Sequence, residues 1–341
     1  MMNHFIERIF EPESLTEEEA KRTMHQMMSG AMTDEQVSAL LSVLRYRGET
    51  VAEMTGFAKA MREKSVQINH DKENLIDTCG TGGDGTNTFN ISTAVAILLS
   101  GSGVPVAKHG NRSVSSKTGS ADVLEELGIP IQATKEEAER MIVKHNLCFM
   151  FAPVYHSSMK HVAKARKGLG VKTIFNLLGP LTNPARTKHQ LIGVYDQTVA
   201  QKMAETARNL GVDRALFATG SDGLDELTIT GASSLTELQG NKISTYTIKP
   251  EEAGLQRGTL TDIQVRNKEE SANLIHGTLE GKGNLSARNV ILLNAGAALY
   301  VCGAANTIEE GVTEARVALE NRAGYEQLQR LQTTKERGVL V

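Results

Sequence analysis

The chain contains no tryptophan, and aromatic residues make up only 4% of its 341 positions. So few planar rings exclude a base-stacking surface for single-stranded nucleic acid. An excess of one charge is also missing. Lys and Arg number 37 against 40 Asp and Glu, the net charge is −3, and no basic run occurs. That excludes the electrostatic footprint of a nucleic-acid binder. Cysteine is scarce: Cys79, Cys148 and Cys302 are odd in number and far apart. They form no disulfide framework and no closely spaced metal motif, and they fit a reducing compartment. Long apolar runs are lacking as well. The most apolar stretch, Val290 to Ala305, is interrupted by Asn294 and two glycines and reads as a buried helix, not a membrane span. Met1 to Arg8 has no apolar core of a signal peptide. With 40% hydrophobic and 23% charged residues, the expectation is a cytoplasmic globular protein of one large or two moderate domains, touching neither membrane nor nucleic acid.

What is present concentrates between Asp77 and Thr93, D-T-C-G-T-G-G-D-G-T-N-T-F-N-I-S-T. An apolar strand leads in. Gly80, Gly82, Gly83 and Gly85 let the backbone turn tightly and approach a ligand. Thr81, Thr86, Thr88, Ser92 and Thr93 add hydroxyls, and a helix starts near Asn90. Strand, glycine loop and helix N-terminus together form a phosphate-binding arrangement, beyond what a tight turn alone requires. Cys79, at this loop, could be a nucleophile, but a small residue in a tight turn is the simpler reading. No Gly-Lys-Ser/Thr follows, so this is not a P-loop. The glycine spacing does not fit G-x-G-x-x-G, and no acid stands near residue 100 to hold a ribose, which demotes dinucleotide binding.

One strand later, Lys108 to Ser120 packs three cations, one His, one Asn and five hydroxyls into a loop. Such a loop at the carboxyl end of a strand suits a second anionic group. Ser120 is a candidate N-cap for the helix Asp122–Leu127. After the apolar segment Ala215–Gly220 comes Asp222-Gly223-Leu224-Asp225-Glu226-Leu227. The adjacent carboxylates Asp225 and Glu226, beside a phosphate site, imply Mg²⁺. Alone, they would read as an ordinary solvated loop.

Coarse periodicity divides the chain. Residues 1–72 read as a small all-helical domain with three helices, one opened by the capping box Thr33-Asp34-Glu35-Gln36. Apolar residues on several sides of these helices suggest a subunit contact, or simply a cover for the larger domain. Residues 73–341 read as an α/β domain with a mostly parallel central sheet surrounded by helices. Strands are expected at 75–79, 104–108, 147–152, 190–195 and 215–219, with antiparallel strands within 227–248. Helices are expected over Lys268–Leu279, Ala287–Gly303 and Thr307–Leu331.

Taken jointly, G-T-G-G-D with N-I-S-T, K-H-G-N-R, G-L-D-E and the block Arg166 to Pro184 resemble the anthranilate phosphoribosyltransferases of tryptophan biosynthesis. The resemblance runs to about residue 330. His156-Ser157-Ser158-Met159 stands where the family commonly has H-P-A-M, and Lys172 where it commonly has Arg. The resemblance implies transfer of the phosphoribosyl group of 5-phosphoribosyl 1-pyrophosphate (PRPP) to anthranilate, in a homodimer. It implies that Gly80, Gly83, Asp84, Thr88, Asn90, Ile91, Ser92 and Thr93 hold PRPP. Lys108, His109, Gly110, Asn111, Arg112, Ser113, Val114, Ser115, Ser116 and Ser120 would continue that site. Gly80, Asn111 and Arg166 would contact anthranilate, and Ser92, Asp225 and Glu226 would bind Mg²⁺, two ions sharing the acidic pair. No catalytic base is assigned; His109 and His156 are positioning candidates, because an aromatic amine is already a neutral nucleophile.

Three other readings compete. A pyrimidine nucleoside phosphorylase would share the fold but need no acidic metal pair. A non-catalytic nucleotide-binding homologue would not keep the metal, phosphate and arginine positions together. A transferase for another aromatic acceptor differs only around His156 and Arg166.

Overall fold

The protein is described by a computed structural model covering residues 13–113 and 117–336. Three helices open it: α1 (Glu17–Met28), α2 (Asp34–Arg47) and α3 (Val51–Lys64). Each begins with a capping box, in which Thr16, Thr33 and Thr50 pair reciprocally with Glu19, Gln36 and Glu53. Glu53 is fully buried and satisfied: it accepts from the amides of Leu15 and Thr50 and pairs with Arg47.

Strands and helices then alternate: β1 (Ile76–Gly80), α4 (Ile91–Gly101), β2 (Val106–Gly110), α5 (Ser120–Glu126), α6 (Lys135–His145), β3 (Leu147–Phe151) and a short α7 (Ala152–Tyr155). There follow α8 (Lys160–Leu169), α9 (Ile174–Leu181), β4 (His189–Gly193), α10 (Gln197–Asn209), β5 (Arg214–Gly220), β6 (Ser233–Gln239) and β7 (Lys242–Ile248). The chain closes with α11 (Lys268–Leu279), α12 (Leu285–Val301), α13 (Ile308–Glu320) and α14 (Ala323–Glu336). Among the described residues the sheet runs β3-β2-β1-β4-β5-β6-β7, with β1 to β5 parallel and the last two strands antiparallel. From β1 the chain winds one way through β2 and β3, then returns to the other side at β4. The carboxyl ends of β1 and β4 therefore flank a topological switch point, where α/β sheets bind ligands. Gly80 and Gly193 are register partners there.

The core has two parts. One packs α4 and α12 against the sheet; α12 supplies Val290, Ile291, Leu292 and Leu293, all without exposed surface. The other joins the N-terminal helices to α8, α9, α10 and residues such as Ile192 and Phe217 of the sheet. No helix among the described residues is long and apolar enough to cross a membrane.

Several sequence expectations need correction. The second strand lies at Val106–Gly110, two residues later than expected. Leu227 to Thr230 alternates in polarity yet forms no strand; Asp222 accepts from the hydroxyls of Thr228 and Thr230 and curls the segment into a turn. Thr307–Leu331 is two helices, broken near Arg322, whose φ is +58°. Ser120 does not cap its helix. It is the first helical residue and its hydroxyl donates to Asn111 O, while Asp122 accepts from the amides of Ser113 and Gly119.

Candidate active site

A cavity of about 530 Å³ opens over the carboxyl ends of β1 and β2. Its floor is the glycine loop. Gly82, Gly83 and Gly85 hold φ of +67°, +80° and +76°, a region other residues resist. Gly80 is glycine for a different reason. A Cβ there would sit 2.6 Å from Asp225 Oδ2, so the residue makes room for the acidic segment. Gly82 N–H donates to the same Asp225 oxygen at 2.7 Å.

Nearly all of the expected PRPP residues that the structure describes line this cavity: Gly80, Gly83, Asp84, Thr88, Asn90, Ile91, Ser92, Lys108, His109, Gly110, Asn111, Arg112, Ser113 and Ser120. Thr93 does not. One helical step of about 100° beyond Ser92 turns it inward, where its hydroxyl is buried without a partner. Val114, Ser115 and Ser116 lie outside the described residues. Arg112 lines the wall, but its guanidinium is already bonded to Asp122 and Glu125, which raise its pKa. Lys108 is buried and bonds Thr78 O and, at 3.1 Å, Ser92 Oγ. Burial lowers its pKa against the pull of Asp77 and Glu226.

The acidic wall brings three carboxylates together, one of which was not expected there as a metal neighbour. Asp225 N lies 3.5 Å from Asp84 Oδ2, and Glu226 hydrogen-bonds the amide and hydroxyl of Ser92. Burial, then the charges of Asp84 and Glu226, push the Asp225 pKa well above the usual carboxylate range. Burial raises Glu226 to about 8, with Lys108 opposing and Asp84 adding. A divalent cation would relieve this repulsion, so the donors fit Mg²⁺. The three carboxylates are neighbours but do not form a ready cage: among the described residues no group of three His, Cys, Asp or Glu is arranged to hold a metal by itself. Mg²⁺ takes few protein ligands and completes its shell with water and phosphate oxygens.

The cavity also has an apolar lining that the sequence reading left largely unnamed: Phe175, Gly179 and Pro180 of α9, with Met159 and Ala163. Its signal was the apolar run after Thr173. Arg166 lies in this lining with its guanidinium 4.8 Å over the Phe175 ring. No carboxylate among the described residues pairs with it, and burial lowers its pKa. Asn111 lines the same cavity.

His109 and His156 pack with their ring centroids 5.1 Å apart and their planes tilted by 52°. Nδ1 of His109 lies 3.3 Å from Gly179 O, and Nε2 of His156 lies 3.1 Å from Thr182 O. A carbonyl only accepts, so those nitrogens carry the protons. His109 Nε2 is then a lone-pair acceptor, buried and without a partner. Burial takes the two rings down to about 3 and about 4, so both are neutral at pH 7. The unfolded chain protonates below pH 6.5 while these folded rings do not. Their contribution is complete above pH 6.5 and is lost as pH falls toward 4, by about 1.4 kcal/mol per pH unit for each ring. His156→Gln should therefore flatten the fall in unfolding free energy between pH 6 and pH 4. Denaturant titrations that run parallel for both proteins across this range would refute that.

A family model described as glycosyl transferase family, helical bundle domain, matches residues 3–65, and one described as glycosyl transferase family, a/b domain, matches residues 72–324. Anthranilate phosphoribosyltransferase of Halalkalibacterium halodurans is 54% identical, covering 98% of both chains. That of Shouchella clausii is 54% identical over 97% of both. The crystal structure of anthranilate phosphoribosyltransferase from Thermus thermophilus matches with a TM-score of 0.91 and 38% identity, over 96% of this chain and 98% of that one. The Saccharomyces cerevisiae enzyme, solved in complex with PRPP and Mg, shares the fold at a TM-score of 0.89 and 24% identity, over 98% of both. On this agreement in sequence and fold, the chain belongs to the anthranilate phosphoribosyltransferase family of glycosyl transferases.

Proposed function

We infer that this chain transfers the phosphoribosyl group of PRPP to the amine of anthranilate, giving N-(5-phosphoribosyl)anthranilate and pyrophosphate in tryptophan biosynthesis. The observation that carries the reading is the cavity's two unlike walls. One has a glycine loop, a helix N-terminus and clustered carboxylates; the other has an arginine stacked on phenylalanine and a histidine with a free acceptor nitrogen.

The reaction breaks the C1–O bond of PRPP, the electron pair leaving with pyrophosphate. The amine lone pair forms the new C1–N bond, and the nitrogen then loses its proton to solvent water or to the departing pyrophosphate. Backbone N–H groups of the glycine loop and the start of α4 face the leaving group, with Lys108 and the loop to Ser120 beside them. Asp225, Glu226 and Ser92 would hold Mg²⁺, two ions in our reading, and the metal would supply positive charge to neutralise that building on pyrophosphate. Arg166 takes the anthranilate carboxylate, with Asn111 and Gly80 against the ring and amine. His109 Nε2 accepts an N–H of the amine and orients its lone pair. His156 supports that ring and transfers no proton.

We further propose a helical domain over 1–72 and a catalytic α/β domain over 73–341, a cytoplasmic location, and a homodimer formed through the N-terminal helices. Tyr46 on α2, 95% exposed, supports that contact. Purified protein with PRPP and Mg²⁺ should quench anthranilate fluorescence, and EDTA should stop it; a flat trace from folded protein would refute the activity. Arg166→Ala should raise the KM for anthranilate roughly 10- to 150-fold, the worth of charge-assisted bonds of about 1.5–3 kcal/mol. The KM for PRPP should barely move, and equal changes in both would remove Arg166 from the acceptor site.

A further inference from the structure

Immediately after Glu226, the backbone of Leu227 is gripped from behind by one side chain of α12. Leu227 N–H donates to Asn294 Oδ1 at 3.0 Å, and Leu227 O accepts from Asn294 Nδ2 at 2.9 Å. The second hydrogen of Nδ2 goes to Val290 O at 2.9 Å. Asn294 and Leu227 have no exposed surface. Its neighbours along α12, Leu292, Leu293, Ala295 and Ala297, are fully buried as well. A buried amide in such surroundings is costly unless its polar atoms are bonded, and here both hydrogens and the oxygen are. Taking the N–H and C=O of one residue together imitates a rung of a β-ladder. It fixes that residue along the chain, because a slip by one position would break both bonds.

The other side of the segment is fixed as well. Asp225 O passes 1.4 Å from where a Cβ on Gly193 would lie. Asp225 and Glu226 thus occupy two positions stretched between Gly193 in front and Asn294 behind. We propose that Asn294 is a positioning residue for metal binding: it sets where the Asp225 and Glu226 carboxylates meet the cavity. It does not line the cavity and so acts only through Leu227. This rests on the reading that the acidic pair holds Mg²⁺.

The test uses the full chain and Mn²⁺ as probe, with free Mn²⁺ followed by electron paramagnetic resonance. Asn294→Ala should raise the half-saturating Mn²⁺ concentration roughly tenfold, the scale of a lost outer-shell bond at a metal site. Asn289→Ala is the control for simple destabilisation. Asn289 is buried on the same helix but bonds Gln256 O, away from the acids. It should lower the melting temperature comparably and leave the Mn²⁺ curve in place. If Asn294→Ala does not fold, Asn294→Ser, which keeps a hydroxyl, is read in the same titration. An unshifted curve in the folded Asn294 variant overturns the inference. Asp225→Asn separates the two ideas. If it shifts and Asn294 does not, only the inference fails. If Asp225→Asn leaves the curve unchanged, the metal reading fails and takes the inference with it.

Discussion

Replacing Gly193 with Ala should cut kcat/KM by at least about a hundredfold while leaving the sheet folded. Gly193 ends β4 between Gly80 of β1 and Ala218 of β5. Its φ is not in the left-handed region, so its own backbone accepts alanine. The obstacle lies outside the strand. The new methyl would stand 1.4 Å from Asp225 O, 2.4 Å from Asp225 C and 3.3 Å from Glu226 N. All three are backbone atoms, and real Cβ contacts essentially never fall below 3.0 Å. The acidic segment must therefore move by more than an ångström, and such a misplacement costs on the order of 10²-fold in rate. Gly80→Ala should be milder. It meets Asp225 Oδ2 at 2.6 Å, an atom that can swing aside. Circular dichroism should be unchanged in both variants, with kinetics separating them. Wild-type kcat/KM in Gly193→Ala would mean that the position of Asp225 does not matter to catalysis.

That contrast marks where the sequence is legible. The glycine loop, the helix behind it and the basic loop are written in consecutive residues, and local turn chemistry and periodicity are enough to read them. The parallel strands were readable because each is a short apolar run closed by polar or glycine residues. Gly193 and Asn294 were not readable as site residues. Their effects fall on Asp225 and Leu227, 32 and 67 positions away in the chain, and only the fold makes these neighbours. Asn294 showed only as an interruption in an apolar run. The basic loop carried a subtler error. Counting its cations omitted Asp122 and Glu125 at the start of the next helix, which pair with Arg112 and offset its charge at the cavity wall. Ser92 and Thr93 look equivalent in a motif; helical rotation sends one hydroxyl to the site and the other into the core. The break at Arg322 is flanked by Asn321, the C-cap of α13, and by Gly324 just inside α14, helix-stop residues that the continuous apolar periodicity outweighed.

Arg62→Leu should destabilise the protein by about 2–4 kcal/mol and disturb the acceptor wall but not the phosphate wall. Arg62, near the end of α3, is only 8% exposed. Its Nε donates to Leu181 O at 2.8 Å and its NH1 to Leu210 O at 2.9 Å. These are terminal carbonyls of α9 and α10, which lack partners within their helices and carry the negative end of the dipole. Burial, with a smaller contribution from Arg186, lowers the Arg62 pKa to about 10, so the side chain stays charged at pH 7. One buried cation thus closes two helix ends and ties α9 to the N-terminal helices. Leucine would fill much of the space but leave both carbonyls unsatisfied. Because the last turn of α9 supplies Gly179 O to His109 and is followed by Thr182 O for His156, loosening it should raise the anthranilate KM severalfold. The glycine loop and the start of α4 hang from β1, so the KM for PRPP should hold. Arg62→Lys keeps the charge but cannot fork to both carbonyls, and should fall between. An unchanged denaturation midpoint in Arg62→Leu would show that water satisfies the carbonyls equally well. Equal shifts in both KM values would show that the two walls move as one.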